Sequence, residues 1–250
     1  MAGLAAHPQL LLLICGAVVA GVVQGISGFA FAMISMSIWA WGLDPQKATI
    51  LAVFGGLCGQ ILTAILVRRR WVAADLLPFI AGGLIGVPIG TWLLPQISAS
   101  TFKLILGLLL IFGCPLMLLG RRDTVLRKPG KAGDGLAGMA GGIIGGISGM
   151  TGIAPAIWTA WRGHDKDSQR ALVQSFNLVT LAAAMGAFLF QGMVSRAMLP
   201  DLGIVAIALV IPAFIGARIY SKLSEAAFRR VILVLLTLSG VALVSSVVGG

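Results

Sequence analysis

The sequence predicts an all-α polytopic membrane protein made of two inverted repeats, each a broken or re-entrant helical segment followed by three transmembrane helices. Three observations carry that expectation. Hydrophobic residues make up 58% of the 250-residue chain and charged residues 10%, with a mean hydropathy of +1.02, far from the balance of a soluble domain. Apolar stretches recur near 10–41, 46–67, 74–94, 100–120, 135–161, 169–192, 200–220 and 228–248, and each reaches the roughly 20 residues that a ~30 Å hydrocarbon core requires. Finally, GVVQGISG at 21–28 matches GIIGGISG at 142–149, so a glycine-rich interruption falls in the first stretch of each half.

Lipid offers the backbone no hydrogen-bond partner, so stretches of this length read as helices rather than barrel strands. Residues 1–9 hold no Lys or Arg and the apolar run continues past any cleavable length, so a signal peptide is not expected. Cys15, Cys58 and Cys114 lie inside apolar stretches without CxxC spacing. They read as small packing residues, and no disulfide, metal or cofactor is expected. The net charge of +10 sits at the ends of the spans, where orientation in the bilayer explains it and nucleic acid is not needed as a partner.

The repeat boundaries follow from further echoes. DPQKA (44–48) resembles DSQRA (167–171), pairing Asp44, Gln46 and Lys47 with Asp167, Gln169 and Arg170. LLPQISASTFK (93–103) resembles IYSKLSEAAFR (219–229). A duplicated unit accounts for these, giving a first repeat at 1–120, a basic cytoplasmic linker at 121–134 and a second repeat at 135–250, together one transmembrane domain. If all eight stretches cross fully, the 18 Lys and Arg divide 9 to 9 between the two sides. If 10–41 and 135–161 are re-entrant, the halves become inverted and the division is 15 to 3. That asymmetry suits a bacterial inner (plasma) membrane protein with a basic cytoplasmic side and both termini periplasmic. A broken helix that crosses once is the alternative for 135–161.

Glycine in a helix interior costs about 1 kcal/mol relative to alanine, so clusters need a reason. For Gly82-Gly83 with Gly86 and Gly90, for Gly55-Gly56 with Gly59, and for Gly138 with Gly141-Gly142, the reason is close helix packing. GISGF and GISGMTG differ, because a Ser between glycines lets the backbone unwind and leaves the N–H groups of the next helix start unpaired. Such a start carries about half a positive charge and suits an anion. Pro155 fits a first helical turn.

Two tips of this kind from inverted halves meet near the midplane, as in transporters with discontinuous helices. The expected substrate site takes Gln24, Gly25, Ser27, Gly28 and Phe29 from the first tip. From the second it takes Gly146, Ser148, Gly149, Met150, Thr151 and Gly152, with Gln174 and Asn177 on the adjoining span. A plain helix-to-helix hydrogen bond explains Gln174 and Asn177 equally well. Lys47 and Arg170 open equivalent spans, where they either draw anions toward the mouths or snorkel to the interface. Trp39, Trp41, Trp158 and Trp161 read as aromatic belts. The eight acidic residues all fall in loops or at span ends, so no buried carboxylate is expected for a cation or a proton relay. His7 and His164 lie outside the spans. No catalytic set is therefore expected, and a membrane-embedded enzyme stands only as the remote alternative.

With these residues in view, GGISGMTGIAPAIWTAWRGHDKDSQRA (145–171) resembles the TauE/SafE family of sulfite and sulfonate permeases. The likeness lies in a glycine-rich segment ending in Gly-x-x-Pro, a short charged loop and an Arg at the next helix start, and it extends over nearly the whole chain. The first half departs from the commoner pattern, since ISGFAFA (26–32) lacks the three glycines and the later proline. The resemblance therefore does not imply that the two tips bind alike. It implies a secondary permease for a small, often sulfur-containing oxyanion such as sulfite, sulfoacetate or another sulfonate, working by alternating access. Export needs no coupling ion, because the membrane potential favours a departing anion by about 2.3 kcal/mol per charge per 100 mV. Proton-coupled uptake of another small organic anion is the alternative. The expected partners are the small anion and the bilayer, and a homodimer is an open option.

Overall fold

The computed structural model describes residues 8–66, 73–119, 130–164, 166–220 and 225–249. Among them the chain forms ten α-helices: α1 (Pro8–Ser27), α2 (Phe31–Trp39), α3 (Pro45–Leu66), α4 (Ala73–Leu93), α5 (Ala99–Leu119), α6 (Lys131–Ser148), α7 (Ile153–Trp161), α8 (Lys166–Phe190), α9 (Leu199–Tyr220) and α10 (Glu225–Val248). Seven helices are long and apolar enough to cross a membrane, so this is a multi-pass, all-α membrane protein. The eighth apolar stretch, 135–161, is the one divided between α6 and α7. Helix α6 begins at Lys131, inside the segment expected as linker, after an extended Gly130 and with Asp134 in its first turn, where a carboxylate complements the helix dipole.

Both GISG sequences end a helix in the same way. Gly28 and Gly149 adopt φ of 80° and 75°, the left-handed conformation that terminates helices and suits glycine. The amides of both glycines still reach back one turn, Gly28 to Gln24 O and Gly149 to Gly145 O, each at 2.7 Å.

After each break the short helix folds back along the long one. Trp39, at the end of α2, donates its indole N–H to the carbonyls of Leu12 and Leu13 near the start of α1, at 3.2 and 3.3 Å. Arg162, just past α7, forms an ion pair with Asp134 in the first turn of α6, and Trp158 Nε1 donates to the same carboxylate at 2.8 Å. Two helical hairpins result. Trp39 is accordingly fully buried and not part of an aromatic belt, because its N–H is used to close the hairpin. Trp41 is half exposed, with the Lys103 ammonium 5.9 Å above its ring.

Each hairpin packs against a helix from the other half of the chain. Helix α6 runs parallel to α4, with Gly82, Gly86 and Gly90 facing the carbonyls of Gly135, Met139 and Ile143, and Gly138 and Gly142 facing those of Phe79 and Gly83. No Cβ fits at any of these positions, which is the close backbone approach expected of the cluster. Helix α1 lies on α9 in the equivalent way, with Gly25 against Ala213 O and Gly216 against Val22 O. Helices α5 and α10 cross antiparallel through Gly107 and Gly240.

Polar and apolar contacts gather the helix ends into two groups. Lys47 at the start of α3 pairs with Asp201 at the start of α9 at 2.7 Å, and Lys103 at the start of α5 reaches Trp41 beside them. At the opposite end Leu76 and Phe79 of α4, Ala137 of α6 and Leu172 of α8 form a separate apolar cluster.

The pair at the base of the second hairpin should be structural. Asp134 is 3% exposed, and removing one partner of a buried pair costs about 3 kcal/mol. Asp134→Ala is expected to lower unfolding stability in detergent by that order, and the double variant Asp134→Ala/Arg162→Met to recover most of the loss. Equal losses in the single and double variants would show that the pair is not what joins the stems.

Candidate functional site

The two breaks face a common cavity of about 320 Å³, counted out to its open mouth. The first hairpin contributes Gln24, Phe29 and Phe31, and the second contributes the run from Gly149 to Ile153. Helix α3 adds Gly56 and Gln60, and α8 adds Asn177 and Leu181. No charged side chain is among these lining residues. The enclosed part is tight, with room for about one water.

The first break satisfies its own amides. Ser27 Oγ donates to Val23 O at 2.8 Å and accepts the N–H of Phe29 and of Ala30 at 3.4 and 3.2 Å. Gln24 Oε1 accepts the Phe31 N–H at 3.0 Å. The buried carbonyl of Gly28 receives two side-chain amides, Gln60 Nε2 at 3.0 Å and Gln174 Nε2 at 3.1 Å. A guanidinium nitrogen of Arg170 lies 3.4 Å from Ile26 O.

The second break is different. Ser148 Oγ donates to Ile144 O at 2.8 Å and accepts nothing from the turn. Among the described residues the amides of Met150, Thr151 and Gly152 have no hydrogen-bond acceptor, although Met150 and Thr151 are 2% and 1% exposed. Thr151 Oγ1 donates to Asn177 Oδ1 at 2.7 Å. The one equivalent tie at this tip runs from Thr49 Oγ1 to Ile147 O at 2.8 Å.

The chemistry of the cavity follows from which atoms are already used. Gln24 spends its oxygen on the Phe31 amide, which can only be a donor, and is left with a buried, unpartnered Nε2. Asn177 spends its oxygen on Thr151 and keeps its Nδ2. Donors outnumber free acceptors: three backbone amides, the Gln24 Nε2 and the Asn177 Nδ2 remain, against the Oε1 of Gln60, whose Nε2 is spent on Gly28 O. Each unmet buried donor costs about 1–3 kcal/mol. An occupant with several acceptor lone pairs offsets that cost, and the helix start at α7 adds a positive dipole end.

Of the residues expected at the site, Gln24, Phe29, Gly149, Met150, Thr151, Gly152 and Asn177 line the cavity. Gly25 and Gly146 face α9 and α4 and serve the helix packing. Ser27 and Ser148 bond within their own helix ends, while Gly28 and Gln174 meet each other beside the cavity.

Lys47 is engaged with Asp201. Arg170 reaches the first break, and the two cations do not occupy equivalent places. Gly28 and Gly149 are 121 positions apart, as are Thr49 and Arg170, whose bonds run to Ile147 O and Ile26 O respectively, again 121 apart. The sequence echo that pairs Lys47 with Arg170 is two residues out of register, about 200° around a helix. Gln60 stands outside the residues expected from the sequence. Its signal was a lone amide well inside an apolar span.

A family model described as sulfite exporter TauE/SafE matches residues 12–243, nearly the whole chain. No curated protein and no solved structure matches.

The left-handed turn at Gly149 is open to a direct test. Its φ of 75° disfavours an L side chain, and a Cβ there would press on Ala32 and Ala52 at 3.3 and 3.4 Å. Gly149→Ala should cost about 1–2 kcal/mol, seen as a lower melting temperature in detergent. Gly203→Ala, at a position with open space, should be neutral, and equal melting for both would contradict the strained turn.

Proposed function

The chain belongs to the TauE/SafE family of sulfite exporters, and on that premise we propose that it is a secondary permease. It moves a small oxyanion, sulfite or a small sulfonate, outward through the cavity between the breaks. The observation that carries this reading is the surplus of donors there, with the side-chain oxygens of Gln24 and Asn177 already committed. The anion takes the amides of Met150, Thr151 and Gly152 on one side and the Gln24 Nε2 on the other, with the Asn177 Nδ2 beside them. Binding is not symmetric between the repeats, because the first break is capped by Ser27 and Gln24 whereas the second is not.

The two repeats are inverted in the bilayer of a bacterial inner membrane, with both termini periplasmic. Supporting this are the fold-back of each hairpin, the grouping of the helix starts at two ends and the 15 to 3 division of basic residues that follows. The anion leaves down the membrane potential, so no coupling ion is called for.

The test is flux of labelled sulfite and small sulfonates from proteoliposomes. Gln24→Glu keeps an oxygen for the Phe31 amide but replaces the donor by a carboxylate in the cavity. It should insert and fold normally and lose at least about tenfold in flux, equivalent to ~1.4 kcal/mol. Unchanged flux in this variant, or cation flux with no anion flux in the parent protein, would contradict the proposal.

A further inference from the structure

We infer that the bodies which move during transport are not the two sequence repeats but two interlocked units that cut across them; this rests on the permease reading above. One unit is α1, α2 and α3 with α9. The other is α4 with α6, α7 and α8, and the paired helices α5 and α10 bridge the two.

The packing divides this way. Helix α1 lies on α9 and α3 on α2 and α9, while α4 lies on α6 and on α8; α5 and α10 pack chiefly on each other, and across the division α3 also lies on α8 and α6. Within the first repeat, neither α4 nor α5 makes more than passing contact with α1, α2 or α3, and within the second the same holds of α9 and α10 toward α6, α7 and α8. Neither repeat is a compact body. The contacts inside each unit resist sliding, because α4 and α6, like α1 and α9, meet backbone to backbone at glycines that admit no Cβ, and Gly107 and Gly240 hold α5 to α10 in the same way.

The cavity lies on the seam between the units. Gln24, Phe29, Gly56 and Gln60 belong to one side of it, and Met150, Thr151, Gly152 and Asn177 to the other. Among the described residues, these hydrogen bonds bridge the seam at the hairpin tips: Thr49 to Ile147 O at the second tip, and Arg170 to Ile26 O with Gln174 to Gly28 O at the first. All three end on neutral carbonyls, and they lie at the two tips on either side of the cavity. Breaking one set while keeping the other opens the cavity to one side only. Since the enclosed room is that of a single water, admitting an oxyanion requires such an opening. Helices α5 and α10, crossing through the facing backbones of Gly107 and Gly240, join the units away from the cavity and serve as the pivot.

Cross-linking separates this division from a rocking of repeats. In a background with Cys15, Cys58 and Cys114 replaced by Ala, Thr91→Cys/Gln191→Cys joins two repeats inside one unit, where the native side chains meet at 2.9 Å. Thr49→Cys/Ile147→Cys joins both repeats and both units outside the cavity lining, where Thr49 Oγ1 meets Ile147 O at 2.8 Å. After a short dithiol-reactive linker, the first variant should keep at least half of its uncross-linked flux and the second should lose at least about tenfold. Loss in the first, or retention in the second, overturns the division.

Spin labels decide the matter even if no tested anion is carried. In bilayers, Trp41→Cys/Gln96→Cys, across the units, should give more than one distance population, and Trp41→Cys/Leu199→Cys, within one unit, a single population. One fixed distance for both pairs would mean the units do not move, which is a different failure from a wrong substrate.

Discussion

A backbone amide surrounded by hydrocarbon must find an acceptor inside the protein, and interrupting a helix in the membrane leaves several amides without one. Much of this structure answers that constraint. At the first interruption the chain supplies the acceptors itself, through Ser27 and Gln24. At the second it does not, and Met150 to Gly152 line the same cavity as the glutamine that caps the first, whose Nε2 is buried and unpartnered. One residue thus links the two breaks.

The glycines that make the break possible are few, and most of the others have a different task. Gly28 and Gly149 provide the left-handed turns. Gly82, Gly86, Gly90, Gly138 and Gly142 let α4 and α6 touch along their backbones, so that a hairpin with one short arm is held by a full-length helix from the other repeat. Close packing of this kind replaces the hydrophobic effect, which has no purchase between helices already in lipid. It also ties each repeat to the other more firmly than to its own second half.

Class, segment number and the positions of the breaks were legible in the sequence because they depend on local features: apolar length, a repeated GISG and glycine spacing. The packing role of the glycine clusters was legible for the same reason. Contacts between distant segments were less so. Lys47 and Arg170 echo one another in sequence, yet a shift of two residues sends one side chain to Asp201 and the other to the Ile26 carbonyl. Trp39 has the composition of a belt residue, and only the fold-back of α2 reveals that its N–H closes a hairpin. Ser27 and Ser148 look alike in sequence. Only Ser27 caps the turn after it, a difference of side-chain placement that no motif encodes. Part of the third echo, around Ser224, lies outside the described residues.

The central claim is that the cavity between the breaks holds an oxyanion on backbone and side-chain amides alone. Selenite, the heavier counterpart of sulfite, permits its position to be read directly by anomalous scattering from crystals of the protein grown with the anion. The account predicts one selenium peak within hydrogen-bonding reach of the Met150, Thr151 and Gly152 amides and of Gln24 Nε2. A peak bound elsewhere in the fold, with only water between the two breaks, would contradict it.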